Sequence, residues 1–197
     1  MLIGTHASAQ IMPGAGFVHS TLSGQYNGSK EDNINFNGFY DRLKKGDYVL
    51  ISFGHNDSTE SNSSIYVTTT QYKANLKNVI NTVLSKGATP VIITSIPTYN
   101  PDTYVVNTGD AIDPYRTAAM EVASECGVLG FDLCTAFKAE LESMPNETAK
   151  ACYQNENDAE WHKRVHLTES GAACVAGLIM DALKGSSKII GLKQYIE

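Results

Sequence analysis

The chain has 197 residues, 42% of them hydrophobic and 18% charged, with a formal net charge of −6 at pH 7. That length suffices for one α/β domain with a substantial core. The acidic balance offers no basic face, and no apolar run approaches the length of a membrane span, so we expect neither nucleic acid nor a membrane as a partner.

The first 45 residues are the least regular part of the sequence. Residues 1–4 are compatible with a short first strand, which opens into Thr5-His6-Ala7-Ser8. A glycine-rich, loop-like segment follows, and residues 36–43 predict a short helix. Two lysines before Gly46 are typical of a helix end.

The segment Gly46-Asp-Tyr-Val-Leu-Ile-Ser-Phe-Gly-His-Asn-Asp57 is the most informative in the chain. Its first half is apolar on both faces, which is typical of a central parallel strand covered by helices on both sides. Its second half turns polar at Gly54. Since chemistry in open α/β sheets collects beyond the carboxyl ends of the strands, this segment predicts half of an active site.

The rest of the sequence alternates between helical and strand patterns. Predicted helices cover 70–85, 113–126 and 136–144, with a last one after His166; predicted strands cover 89–95 and 128–133; polar loops cover 57–69, 98–110 and 145–165. Strand–helix alternation of this kind predicts a doubly wound parallel sheet, that is, a three-layer α/β/α sandwich. Without a repeat or a linker, residues 1–197 are interpreted as one domain.

Two polar residues in this pattern are candidates for catalysis. The amide of Asn56, at a strand end, can donate to a developing oxyanion; the alternative interpretation is that Asn56 and Asp57 merely cap a turn. His166 lies just before a helix that Thr168 is placed to cap, a suitable position for a general base. A packed or surface histidine is the alternative interpretation of His166.

Taken together, Gly46–Asp57 and His166-Leu-Thr-Glu-Ser-Gly-Ala172 resemble the SGNH/GDSL hydrolase superfamily, and within it the rhamnogalacturonan acetylesterase branch of carbohydrate esterases. The resemblance covers about residues 20–186. It implies that Asn56 is a side-chain oxyanion donor and His166 the general base. It also implies a backbone donor from a glycine, for which we choose Gly24, 32 positions before Asn56, with Gly28 as the fallback. No cofactor is implied.

The nucleophile block departs from the family pattern, because no Gly-Asp-Ser occurs in the chain. The nearest substitute begins at Gly4 and makes Ser8 the candidate nucleophile. A gapless alignment from Gly4 instead puts His6 in the serine position. In a third alignment, the true nucleophile strand lies upstream and is absent from this chain.

The acid also departs from the pattern. The family has Asp three residues before the catalytic histidine, and here that position is Lys163. A cation cannot orient the imidazole or stabilise the imidazolium that forms. Asp158 or Glu160, from the same loop, are the possible replacements.

Metal binding is not expected. His162 and His166 have i, i+4 spacing, but Lys163 and Arg164 lie between them and the glutamate of a His-Glu-x-x-His helix is missing. The four cysteines contain no Cys-x-x-Cys pair.

Cysteines and sequons bear on the compartment. An even number of cysteines, with Asn-x-Ser/Thr sequons beginning at Asn27, Asn56, Asn62 and Asn146, favours an extracellular protein whose signal peptide is absent from this chain. In that case Cys152 is expected to pair with Cys174. Four free thiols in a cytosolic protein are the alternative.

The resemblance leads us to expect a monomeric acetylesterase acting on acetylated polysaccharide or oligosaccharide from plant cell walls, of the pectin or xylan type. Aromatic residues in the edge loops suit stacking on sugar rings, or else seal the loops: Tyr99, Tyr104, Tyr153 and Trp161. A second hypothesis is an SGNH-fold protein that lacks activity and binds carbohydrate. A lipase or thioesterase, the third, would require an apolar groove.

Overall fold

The structure is a computed structural model. It describes residues 2–4, 40–41, 43–61, 66–100, 105–107, 112–154 and 166–189.

Four parallel strands form the main sheet in the described part of the chain. They are β1 (Leu2–Gly4), β2 (Tyr48–Ser52), β3 (Thr89–Ile93) and β6 (Leu129–Phe131), in the spatial order β1-β2-β3-β6. Gly4 pairs with Ser52 and Ile93 with Phe131, so the strands end at a common edge. This edge is where the sequence predicted the site.

Helices connect and cover these strands. They are α1 (Thr69–Ser85), α2 (Asp113–Glu125), α3 (Leu133–Ser143), α4 (Asn146–Ala151) and α5 (Glu169–Gly185). Of the predicted 36–43 helix, three residues are described: Tyr40 and Asp41 are helical and Leu43 is not. No helix in the described ranges is both long and apolar enough to cross a membrane.

The core consists of two apolar clusters on opposite faces of the sheet. Val49 and Ile51 of β2 pack with α1 and α2, while Tyr48 and Leu50 pack on the other side with α3 and α5. Successive strand residues point to opposite faces, so a strand that is apolar throughout must be covered twice. The predicted three-layer α/β/α sandwich with a central parallel sheet is therefore confirmed.

Three local predictions differ from the structure. The predicted 98–110 loop contains an antiparallel hairpin of β4 (Thr98–Asn100) and β5 (Val105–Asn107). Helix α3 begins at Leu133, three residues early, because the Asp132 carboxylate accepts the Thr135 N–H at 3.2 Å and caps the helix. The short helix α4 lies inside the predicted polar stretch 145–165.

The predicted Cys152–Cys174 disulfide is not formed, and all four cysteines are free thiols. The Cys152 Sγ instead lies 3.5 Å from the Thr148 carbonyl of its own helix. Burial raises the pKa of both the Cys152 and the Cys174 thiol, which favours the unreactive protonated form.

Candidate active site

The turn after β2 is shaped by Gly54 and Asp57. Gly54 has φ of 134°, and a Cβ there would lie 3.1 Å from Ser95 Oγ, so glycine suits both the backbone and the space. Its N–H donates to Asp57 Oδ2 at 3.1 Å, and Asp57 is completely buried. Of the two residues that the sequence suggested as turn caps, Asn56 and Asp57, it is therefore Asp57 whose side chain caps the turn.

The residue before the turn is anchored from two other elements. The Phe53 carbonyl accepts a hydrogen bond from Ser95 Oγ at 3.0 Å and another from the Tyr72 hydroxyl of α1 at 3.1 Å. Burial first, and then the charge of Asp57, raise the pKa of Tyr72 far above its ordinary value. The hydroxyl therefore stays protonated, and both bonds hold the turn against the sheet.

His55 connects the turn to the segment that follows β3. Its Nε2 lies 2.9 Å from the Ile96 carbonyl, which can only accept, so Nε2 carries the proton. Burial lowers the pKa of His55 to about 4; the bond to Ile96 opposes this shift, and the charge of His166 adds to it. At neutral pH His55 is uncharged, and His166 is its electrostatic neighbour.

Asn56 lies between these two fixed residues and is half-buried. Its main-chain carbonyl accepts the Thr59 N–H at 3.1 Å. Among the described residues, no side-chain hydrogen bond occupies the Asn56 amide. An amide held on a rigid turn and left available is suited to receive developing negative charge.

The His166 segment is held by main-chain pairing with the residues that follow α4. The His166 carbonyl accepts the Gln154 N–H at 2.8 Å, and Leu167 forms an antiparallel bridge with Tyr153. The Gln154 side chain also donates to the Leu167 carbonyl at 2.9 Å. His166 is thus fixed by short, ordinary backbone contacts.

The start of α5 fixes the same segment from the other side. Thr168 Oγ1 accepts the Gly171 N–H at 3.2 Å, which confirms the predicted cap, and donates to the Ala151 carbonyl at 2.7 Å. A Cβ on Gly171 would lie 2.1 Å from the Cys152 carbonyl oxygen. Helix α5 therefore approaches the end of α4 as closely as backbone atoms allow.

Main-chain contacts connect the segments that carry two of the predicted site residues. His55, which precedes Asn56, donates to the Ile96 carbonyl, and Tyr153, which pairs with Leu167 next to His166, donates to the adjacent Pro97 carbonyl. The catalytic roles of Asn56 and His166 stay predictions. Ser8, Gly24 and the fallback Gly28 lie outside the described residues and stay predictions. The same holds for Lys163 at the acid position, for its possible replacements Asp158 and Glu160, and for His162. In the described ranges, no group of three histidine, cysteine or acidic residues could hold a metal.

Asp132, another carboxylate at this sheet edge, has a structural role. It accepts hydrogen bonds from Arg116 at 2.7 Å and Thr94 at 3.2 Å, besides capping α3. Burial acts to raise the pKa of Asp132, but the bonds from Thr135 and Arg116 outweigh it and leave that pKa lowered. Asp132 is thus committed to these partners.

The prediction that Tyr99 and Tyr153 stack on sugar rings is wrong. Tyr99 and Tyr153 are 0% and 2% exposed and stack on each other with ring centroids 5.4 Å apart. The alternative interpretation, that they seal the edge loops, is correct. Tyr104 and Trp161 lie outside the described residues.

Sequence reasoning missed two contributors to this site. His55 was part of the motif, but it received no role of its own, and Tyr153 was considered only for sugar stacking or for sealing a loop. The Tyr153 hydroxyl donates to the Pro97 carbonyl at 2.8 Å, next to the carbonyl that His55 contacts. No spacing in the sequence signals a hydrogen bond to a main-chain carbonyl 56 residues away.

An open groove of about 620 Å³ lies between the N-terminal parts of α1 and α2. Six of its eight lining residues are polar or charged: Thr69, Thr70, Lys73, Asp113, Pro114, Thr117, Ala118 and Glu121. Lys73 pairs with Glu121 at 2.5 Å across the groove. Neither Asn56 nor His166 lines this groove.

Comparison with known proteins places the chain in a family. A sequence profile described as the GDSL-like Lipase/Acylhydrolase family matches residues 13–174. The match begins after Ser8 and includes Gly24, Asn56 and His166. Rhamnogalacturonan acetylesterase RhgT of Bacillus subtilis (strain 168) is 28% identical over 153 residues, which cover 73% of this chain and 63% of RhgT. The chain thus spans less than two thirds of that relative.

Solved structures agree on the fold. The protein YXIM of Bacillus subtilis superposes with a TM-score of 0.67 at 18% identity, over 86% of this chain and 45% of YXIM. A mutant of Axe2, an acetyl-xylooligosaccharide esterase from Geobacillus stearothermophilus, gives 0.56 at 18% identity, over 80% and 65% of the two chains. The profile covers most of the sequence and the fold is the same, so the chain belongs to the GDSL-like lipase/acylhydrolase family.

Proposed function

We propose that this chain is an esterase that removes acetyl groups from a plant cell-wall polysaccharide of the pectin (rhamnogalacturonan) or xylan type. The observation that supports the proposal is that the Asn56 turn and the His166 segment are tied to the same short piece of main chain beyond β3, through His55 on the Ile96 carbonyl and Tyr153 on the Pro97 carbonyl. An amide donor and an imidazole base in one place are two of the parts that acyl transfer requires.

The proposed reaction proceeds through an acetyl-serine. The Ser8 hydroxyl attacks the acetyl carbonyl while His166 accepts its proton, and the sugar oxygen leaves with that proton. Water, deprotonated by His166, then attacks the acetyl-serine, and acetate and free serine result. Asn56 and the Gly24 N–H donate to the oxyanion in both steps.

The names of the relatives support the acetyl group and the carbohydrate. RhgT is named a rhamnogalacturonan acetylesterase, and Axe2 an acetyl-xylooligosaccharide esterase. Both names combine an acetyl ester with a carbohydrate. This agreement favours a deacetylase over a lipase on the same fold.

Hydrolysis of p-nitrophenyl acetate, followed by acetate release from acetylated xylan and rhamnogalacturonan, tests the proposal. We expect activity in the parent and a loss of about 10³-fold or more in kcat for Ser8→Ala and for His166→Ala. Ser124→Ala, an exposed serine on α2, is the matched control and should behave as the parent. Activity that survives Ser8→Ala would remove Ser8 from the mechanism, and an inactive parent would refute the esterase.

A second candidate is a carbohydrate-binding protein that has kept the fold and lost the chemistry. The absence of Gly-Asp-Ser and the lysine at position 163 favour it. Calorimetry with acetylated xylo-oligosaccharides separates the two, because this candidate requires binding with no acetate released.

We further propose that the protein acts outside the cell as a monomer. The four sequons support the location, whereas the four free thiols count against it, because an extracellular protein was expected to pair its cysteines. Intact mass after expression in a glycosylating host, together with sedimentation analysis, tests both statements. An unmodified mass or a stable dimer would contradict them.

A further inference from the structure

We infer that Tyr153 is a positioning residue that sets the separation between His166 and the turn carrying Asn56. The hydroxyl of Tyr153 makes this link through the main chain at 96–97. The consequence for catalysis rests on the proposed function, whereas the structural link can be tested without it.

One end of the link is the His166 segment. Tyr153 bridges Leu167 as an antiparallel pair, and the next residue, Gln154, donates its N–H to the His166 carbonyl at 2.8 Å. The carbonyl of Cys152, the residue before Tyr153, accepts the Thr168 N–H at 3.0 Å. Any displacement of Tyr153 is therefore transmitted to His166.

The other end is a pair of adjacent carbonyls. The Tyr153 hydroxyl donates to the Pro97 carbonyl at 2.8 Å, and His55 Nε2 donates to the Ile96 carbonyl at 2.9 Å. Since consecutive residues accept these two bonds, both donors are tied to adjacent peptide units of the same main chain. His55 directly precedes Asn56, so the link reaches the predicted oxyanion donor.

The ring of Tyr153 is itself immobilised, which lets its hydroxyl act as a fixed point. Tyr99 stacks on it at 5.4 Å with planes 10° apart, and Phe137 lies at 6.0 Å. Burial first, and then the neighbouring thiols of Cys134, Cys152 and Cys174, raise the pKa of Tyr153 far above its ordinary value. The hydroxyl is therefore a permanent donor.

Tyr153→Phe removes only the hydroxyl, and Tyr99→Phe is the matched control. Tyr99 is equally buried in the same stack, but its hydroxyl donates to the Asn146 carbonyl at 3.4 Å and not to the main chain at 96–97. With p-nitrophenyl acetate we expect Tyr153→Phe to lower kcat by about 10- to 100-fold with KM within about twofold, because small misplacements of reacting groups have effects of this size. Tyr99→Phe should stay within about twofold of the parent in both.

A measurement independent of activity uses the imidazole of His55 in an NMR pH titration. In His166→Gln the pKa of His55 should rise, because the charge that lowers it is gone. In Tyr153→Phe the pKa of His55 should lie between its values in the parent and in His166→Gln, because the His166 segment is released. In Tyr99→Phe the pKa of His55 should equal its value in the parent. Gln154→Ala changes an exposed residue and removes its side-chain bond to Leu167, so it should also raise the pKa of His55. This variant replaces Tyr153→Phe if Tyr153→Phe does not fold.

The outcomes are distinguishable. An inactive parent whose His55 shifts as described refutes the proposed function and supports the link. Parent-like kcat and His55 pKa in Tyr153→Phe would overturn the link, and so would equal losses in Tyr153→Phe and Tyr99→Phe.

Discussion

Asn56 is a half-buried residue whose two neighbours are both fixed, His55 on the Ile96 carbonyl and Asp57 on the Gly54 amide. Replacing Asn56 by alanine removes the amide and leaves those contacts. We expect kcat with p-nitrophenyl acetate to fall by about 10²- to 10³-fold with little change in KM, since the donor acts on the transition state.

The control for that variant is Asn81→Ala, an exposed asparagine on α1, which should keep parental kinetics. If Asn56→Ala retained its kcat, Asn56 would be a turn residue only.

His55 predicts a loss of stability in mild acid. Its pKa is about 4 in the folded chain against about 6.5 when unfolded, so between these values the unfolded state binds more protons. The free energy of unfolding should therefore fall as the pH drops from about 6.5 to 4, by about 3 kcal/mol from this group, and the contribution should level off below that.

His55→Gln keeps a donor for the Ile96 carbonyl and does not titrate. In urea unfolding across this pH range, the difference between parent and His55→Gln isolates the contribution of His55. Parallel curves for the two proteins would show that His55 does not titrate with a lowered pKa.

At the residue scale, sequence reasoning identified side chains by type and position but not by partner. Asn56 and His166 were predicted as a pair because the two motifs that carry them resemble those of the SGNH/GDSL hydrolases. The roles of Asp57 and Tyr153 depend on hydrogen bonds to the Gly54 amide and the Pro97 carbonyl. Main-chain groups are the same in every residue, so the sequence carries no signal for them.

At the scale of elements, the approach of α5 to the end of α4 is the tightest contact that involves the site. Gly171→Ala would put a Cβ 2.1 Å from the Cys152 carbonyl oxygen, so the helix must move. We expect a loss of about 1–3 kcal/mol in the free energy of unfolding, as for other overpacked positions, and a lower kcat because His166 lies at the same junction.

Gly177→Ala, on the same helix, is the matched control. A Cβ there meets nothing within 4 Å, and alanine favours the helix by roughly 0.5–1 kcal/mol. Urea denaturation of the two variants should give changes of opposite sign. A stabilised Gly171→Ala would mean that the two helices are not in close contact.

The elements themselves were predictable where periodicity is strong. Helices α1 and α2 bury residues at helical spacing, such as Tyr72, Leu76 and Val83, and their predicted starts lie within one residue of the observed ones. The hairpin of β4 and β5 was missed because three-residue strands are too short to show alternation. The early start of α3 was missed because Asp132 was assigned to the strand rather than to a cap.

At the scale of the whole molecule, the double burial of β2 and β3 dictates the architecture, and it was readable from unbroken apolar runs. The described part of the site follows from that architecture, since parallel strands bring their carboxyl ends to one edge. The nucleophile and the acid do not follow from it. Both depend on segments where this sequence departs from its family at Ser8 and Lys163.

The net charge of −6 predicts how the protein handles charged substrates. An acetylated polymer rich in uronic acids would be repelled at low ionic strength, so its KM should fall as salt is raised from about 10 mM to 150 mM. The KM of neutral acetylated xylo-oligosaccharides should not change over that range, which makes them the internal control. A KM for the acidic polymer that rises with salt would indicate a locally basic binding surface.

The acceptors of the His55 and Tyr153 hydrogen bonds are the main-chain oxygens of residues 96 and 97, and this affects which mutations can remove the bonds. A substitution at either position leaves the oxygen in place, although Ile96 packs against the core and Pro97 is buried. Each donor, in contrast, can be deleted by a single nucleotide substitution. A mutation that removes one of these hydrogen bonds and little else should therefore arise at position 55 or 153, far apart in the gene.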